Sequence, residues 1–306
     1  MDTLPAELHA YICQFACEDD GATIRVLSSV SKYLNQVTKP YLFRNVSAIG
    51  IPQIVALLER LDSTPSTMRH VEHLFLSDAP FKGSSSTPNL PPTRLTDHEI
   101  RGLNRLIALS APSLKNFSFI ATSPFSSTSL IARIFRTSFP FLVKLTISGF
   151  YPFPSTPGHF PLLKDLHLDG NRNPHGLFQM SMLEDACPSL QNLKITGLGA
   201  AGSFVVELEE ALSGGKLWDE NTDYMVPIHL PSQLRQITLQ AGPVPVVSGS
   251  RDNAATKDHF LMKRLQSLKT ISSSGREYSA CVSVLERSVM PSSLDEFRLE
   301  WKARWF

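Results

Sequence analysis

The residues best suited to chemistry sit in three short clusters. Asp165-x-His167-x-Asp169 puts three potential metal ligands on one face of a strand, because side chains two apart share a face. One strand rarely supplies a whole coordination sphere and no fourth ligand is evident, so solvated strand residues are the expected reading and no metal site is assigned. His9, Cys13 and Cys17 recur at steps of four, the spacing of one helix side, and read as packing in a small helical module. Asp97-His98-Glu99 are adjacent, so they point to different sides of a helix and read as first-turn acids favoured by the helix dipole. The four cysteines, Cys13, Cys17, Cys187 and Cys281, include no close pair, which points to reduced thiols. No phosphate-binding loop, nucleophile elbow or paired His-Glu zinc motif occurs. The expectation is therefore a binding protein with no catalytic residue and no cofactor, and with a cryptic enzyme as a distant alternative.

Bulk properties narrow the partners. The 306 residues carry a net charge of +1, so no electrostatic footprint for nucleic acid exists. No apolar run approaches the length of a membrane span. Asp2 and Glu7 at the start, without a basic region, do not read as a secretory signal, and the expected compartment is the cytoplasm or nucleus. Asn45-Val46-Ser47 matches a glycosylation acceptor but is discounted for the same reason.

The elements that must position any binding residue fall into two sets. In the first fifty residues, Pro5 suits a first helical turn, and Leu8, Ile12 and Phe15 form one apolar stripe. Glu18-Asp19-Asp20-Gly21 breaks that helix. Ile24, Leu27, Val30, Tyr33 or Leu34, and Val37 make a second periodic set, ended by Lys39-Pro40. Helices this short cannot bury both faces alone, so the stripe needs a partner, either the rest of the chain or another protein.

Beyond residue 50 a phrase of the form L-x-x-L-x-L recurs. It begins at Val71, Leu114, Leu142, Leu163, Leu190, Leu234 and Leu294, with a degenerate copy at Leu268–Ile271. Helical patterns lie between, over His98–Leu109, Leu130–Phe135, Leu177–Ala186, Phe204–Leu212, Phe260–Leu268 and Tyr278–Val289. Strands alternating with helices predict an α/β fold built on a parallel sheet, helices outside and strands inside the curve. A Ser/Pro-rich insertion near 80–95 is expected to be flexible, and 150–159 and 242–256 read as linkers. Alternation places the residues between the leucines on the inner face. Lys144, Asp165, His167, Asp169, Lys194, Gln236 and Arg298 are the candidate target-binding residues there. The aromatic end, Trp301 to Phe306, reads as a cap on the open end of the repeat array, with an exposed docking peptide as the alternative.

Two stretches carry a family resemblance. Leu4-Pro5-x-Glu7-Leu8 with Ile12, then Val30-Ser31-Lys32-Tyr33, then Pro40 through Phe43-Arg44, resembles an F-box, with Tyr33 and Phe43 where tryptophan is usual. The phrases behind it resemble the irregular leucine-rich repeats that follow many F-boxes. The resemblance implies an F-box-like module over 1–48 and a leucine-rich-repeat solenoid over 49–306. It also implies a substrate adaptor of an SCF-type cullin ubiquitin ligase, docking a Skp-type adaptor through Leu4, Pro5, Leu8, Ile12, Val30 and Ser31 and holding a target protein on the repeats. The alternative is a repeat scaffold without ligase association. A free stripe of Leu8, Ile12 and Phe15 fits the adaptor; one buried against the rest of the chain fits the scaffold.

Overall fold

The computed structural model describes residues 5–16, 19, 21–80, 95–122, 127–213, 216–219, 224–245, 252–273 and 280–303. Leu4, Cys17 and the expected insertion near 80–95 lie outside or almost wholly outside these residues. The chain begins with helices α1 (Ala6–Ala16), α2 (Ala22–Val30) and α3 (Lys32–Thr38), then strand β1 (Asn45–Ile49) and α4 (Ile51–Ser63). Next come β2 (His73–Ser77), α5 (Asp97–Ser110), β3 (Asn116–Ile120), α6 (Ser127–Phe135), β4 (Lys144–Ser148) and β5 (Asp165–Asp169). Then follow α7 (Met182–Ala186), β6 (Asn192–Leu198), α8 (Gly202–Ser213), β7 (Lys216–Asp219), β8 (Tyr224–Pro227) and β9 (Gln236–Ala241). The series ends with α9 (Asp252–Ser273), β10 (Cys281–Val284) and α10 (Leu294–Ala303). This is an α/β fold with parallel strands, divided into two compact units: Met1–Ser126 with Leu294–Phe306, and Ser127–Ser293.

In the first unit, β1, β2 and β3 pair in parallel and in chain order. Their inward leucines and phenylalanines, Leu74, Leu76, Phe117 and Phe119, are buried, as are Ile54 and Leu61 of α4 and Leu103, Leu106 and Ile107 of α5. α5 starts on a capping box: Glu99 N donates to Thr96 Oγ1 (3.3 Å) and Thr96 N donates to Glu99 Oε2 (2.7 Å). The Asp97-His98-Glu99 trio is thus a helix start. The three N-terminal helices close around a small core of Cys13 and Ile24 with Leu27, Val37, Tyr41 and Leu42. Asp19 caps α2 by accepting from Gly21 N (3.0 Å) and Thr23 N (2.8 Å). β1 runs across the boundary expected at residue 48, because Asn45–Ile49 finds β2 as a ready edge.

In the second unit, β4, β5, β6, β9 and β10 pair in parallel, and β7–β8 form an antiparallel hairpin. Six phrases expected as strands are strands: those of β2, β3, β4, β5, β6 and β9. Others are corrected. Leu268–Ile271 lies inside α9, because no Gly or Pro interrupts the run from Asp252 to Ser273. The phrase starting at Leu294 is helix α10, with Asp295 and Glu296 in its first turn. Within the helix expected over Tyr278–Val289, Cys281–Val284 is strand, drawn into pairing with β9. Of Leu177–Ala186 only Met182–Ala186 is helical, since Met180 and Ser181 adopt left-handed conformations (φ 56° and 55°) that stop a helix.

Candidate binding surfaces

The first surface is built by α1–α3. His9 and Cys13 turn inward, and Tyr33 Oη meets His9 Nδ1 at 2.8 Å, tying α3 to α1. Helical periodicity then forces the other side of α1 outward. Leu8, Ile12 and Phe15 are 47%, 55% and 69% exposed, and Val26 and Val30 of α2 are each 64% exposed. Tyr11 and Tyr33 join them; the periodicity of α1 could have found Tyr11. Pro5 is also exposed and precedes the first turn. Ser31 does something else: its Oγ accepts from Leu34 N (3.1 Å), capping α3. Leu4 falls outside the described residues.

The second surface is one face of β4–β5–β6–β9. Register places Lys144, Asp165, Asn192 and Gln236 in one row, and Thr146, His167, Lys194 and Thr238 in the next. Ser148, Asp169 and Thr196 form the third. The fold thus gathers Lys144, Asp165, His167, Asp169, Lys194 and Gln236 on one face, as alternation requires. Arg298 is not among them: it sits on α10, because that phrase is helical.

The outer row is open. Lys144 Nζ lies 3.7 Å from Asp165 Oδ2, and Asn192 Nδ2 donates to Asp165 Oδ1 (2.6 Å). The third row is buried and knitted. Ser148 Oγ donates to Asp169 Oδ2 (2.8 Å) and Thr196 Oγ1 donates to Asp169 Oδ1 (2.6 Å). A hydroxyl has one proton to give, so the 3.0 Å contact with His167 has Nε2–H donating to Thr196 Oγ1. That direction fixes the proton on Nε2. Ser292 Oγ approaches Asp169 Oδ1 at 3.4 Å. Tyr151 stands nearby with no hydrogen-bond partner for its hydroxyl among the described residues. Burial, and secondarily the charge of Asp169, push its pKa far upward. This arrangement orders a polar patch and commits Asp169 to hydroxyl donors. Among the described residues, no group of three or more His, Cys, Asp or Glu side chains could hold a metal ion.

Glycines make that knitting possible. Gly149, Gly170 and Gly197 each follow one of the three polar residues and have positive φ (137°, 93° and 75°). A Cβ on Gly170 would stand 2.9 Å from Gly149 N and O. Ser148-Gly149, Asp169-Gly170 and Thr196-Gly197 is a sequence signal that periodicity alone passes over. Gly170→Ala should cost about 1–3 kcal/mol, from a left-handed backbone and a backbone clash, read as a lower denaturant midpoint.

Cys13 and Cys187 are buried away from both surfaces, whereas the exposed Cys281 of β10 stands beside Gln236 at the end of the outer row. Cys187 is buried and pushed up to about 12 by desolvation, and Cys13 is raised for the same reason. Among the described residues no helix is long and apolar enough to cross a membrane.

Comparison of the chain with family models, with curated proteins and with solved structures finds no match.

Proposed function

We propose that the chain is a substrate-recognition adaptor of an SCF-type cullin ubiquitin ligase, working in the cytoplasm or nucleus. On this reading α1–α3 are an F-box-like module that docks a Skp-type adaptor, and the strand phrases form an irregular leucine-rich-repeat array that holds a target protein. The chain itself contributes no catalytic residue or cofactor; the chemistry belongs to partner enzymes.

One observation carries the reading: the Leu8, Ile12 and Phe15 stripe, continued by Val26 and Val30, stays open to solvent. A helical module that served only to close the fold would bury that stripe, since each large apolar side chain gains about 1.5–3 kcal/mol on burial. A partner protein is one way to cover these exposed apolar side chains, and the adaptor reading supplies it. On this reading the exposed Pro5, Leu8, Ile12 and Val30 would touch that partner, whereas Ser31 acts by starting α3.

Co-purification with a Skp-type adaptor tests this. The parent should be captured, and Leu8→Asp with Ile12→Asp should weaken capture by about 100-fold or more, because two charges would enter an apolar interface. Both positions are solvent-exposed, so circular dichroism should be unchanged. A well-folded parent that is not captured overturns the reading and leaves an interaction scaffold without ligase association.

A further inference from the structure

The outer strands of the two units are finished differently. In the first unit the chain itself closes the far side of β1. Ile49 N donates to Gln53 Oε1 (3.0 Å), and Asn45 Nδ2 donates to Asp19 O (3.1 Å). Gly21 lies so close that a Cβ on it would stand 2.9 Å from Asn45 O. The start of α2 and the first turn of α4 thus guard that edge. In the second unit β10 pairs with β9 alone. Cys281 N donates to Arg235 O (2.8 Å) and Leu285 N donates to Leu239 O (2.9 Å). Successive residues of a strand turn their backbone groups to opposite sides, so the N–H and C=O of Val282 and Val284 face away from β9. Among the described residues no backbone group meets them.

The side chains leave this edge open as well. Proteins blunt such an edge with lysine, proline, a bulge or a covering element. Residues 280–285 hold no charge and no proline. The register from Cys281 to Val284 is unbroken, so no bulge twists the strand away. Cys281 is exposed and Leu285 is 44% exposed. The β-branched Val282 and Val284 favour extended pairing.

We infer that β10 is a self-pairing edge, to which a second copy of this chain adds its own β10, antiparallel, about a two-fold axis at Ser283. In that register Val282 of each copy and Val284 of the other exchange both N–H···O bonds. Ser283 faces Ser283, Cys281 faces Leu285 and Glu286 faces Ala280, so no like charges meet across the axis. The guarded edge of β1 excludes head-to-tail pairing of β10 on β1, so association closes at two copies and does not grow into a filament. Ser283 stands beside Thr238 of the polar row. The pairing therefore carries the polar face of one copy into that of the other. The strand is short, which puts the contact in the weak, concentration-dependent class. The inference goes beyond the adaptor reading and does not rest on it.

Sedimentation equilibrium of the full chain, up to about 200 µM, tests it. The parent should exchange between monomer and dimer. Val284→Pro removes an N–H that faces away from β9, so the β9–β10 ladder stays whole. Ser283→Lys sets two ammonium groups opposite each other in the dimer, from a half-exposed position in the monomer. Each should weaken the dimer about tenfold or more, with circular dichroism unchanged. A parent that stays monomeric throughout, or a dimer that survives either variant in a folded chain, overturns the inference. If Val284→Pro does not fold, Ser283→Lys decides alone. Leu8→Asp with Ile12→Asp should leave the dimer as it is. An association lost with that variant belongs to α1 and overturns the inference, so this outcome stands apart from that of the capture experiment.

Discussion

Replacing Glu72 with glutamine should lower the unfolding free energy by about 2–4 kcal/mol, discounted from the roughly 3–5 kcal/mol for stripping a buried ion pair of one partner. The carboxylate is the hub of the first unit. Arg44 Nε donates to Oε2 (3.2 Å), Lys115 Nζ lies 3.2 Å from the same oxygen, and His70 Nε2 lies 3.0 Å from Oε1. His73 Nε2 stands 3.6 Å away. Arg44 also reaches Gln14 O of α1 (3.5 Å), so this cluster connects the helical module to the start of the sheet. Removing the charge leaves Arg44 and Lys115 facing each other. The discount from a fully buried pair reflects Lys115 and His70, whose side chains are half in water.

The pH dependence follows with a definite sign. His73, and then its cationic neighbours, hold the Glu72 carboxyl far below its ordinary range. A depressed carboxyl stabilises the fold above its unfolded value, near 4.5, and that stability drains away as pH falls below it. His73 is pushed below 6.5 mainly by burial, which the neighbouring carboxylate only partly offsets. Its unfolded form therefore binds the proton first, and stability is lost as pH falls below about 6.5. Denaturant midpoints of the parent should drop in two stages, below 6.5 and again below 4.5. Glu72→Gln should remove the lower stage, and His73→Gln the upper one.

Local patterns revealed six of the strands because a period of two, stopped by Pro or Gly, has few other readings. They failed where one spacing fits two structures. Leu294-x-x-Phe297-x-Leu299 satisfies both a strand phrase and a helical i, i+3 pair. What separates them is Asp295-Glu296 in a first turn and Trp301 four residues after Phe297. Reading that phrase as strand moved Arg298 to a sheet face and made the aromatic end a cap on the open end of the array; the structure instead lays Trp301 over Phe75 of β2. β1 and β10 were illegible for a different reason. Neither Asn45–Ile49 nor Cys281–Val284 carries the leucine phrase, and both become strands by pairing with an existing edge. On the surfaces, the stripe of Leu8, Ile12 and Phe15 was readable because α1 is amphipathic. The Asp169 relay was only half readable: the alternation gave the face, while the Thr196 and Ser148 hydroxyls arrive through register between strands.

Glu207 shows the same limit, and a large effect is expected from it. On α8 it is fully buried, and it accepts the backbone N–H groups of Gly176 (2.5 Å) and Phe178 (2.7 Å). It thereby fixes the segment that turns through Met180 and Ser181 and is stitched to β8 by Met180 N donating to Pro227 O (3.2 Å). Glu207→Ala leaves two buried donors without an acceptor, at about 1–3 kcal/mol each. Amide exchange should report it locally, Gly176 and Phe178 losing protection first. Burial raises the pKa of Glu207 above 4.5, and the two N–H donors and then His175 (3.9 Å) work against that rise. A raised carboxyl acts in the opposite sense to Glu72. Its contribution is full below 4.5 and is lost as pH climbs through the folded value. Glu207→Gln keeps one acceptor oxygen for two donors and carries no charge. It should be less protected than the parent at every pH, with the gap between them narrowing as pH rises. A gap that widens with pH would mean that the two backbone donors outweigh burial and hold the carboxyl down.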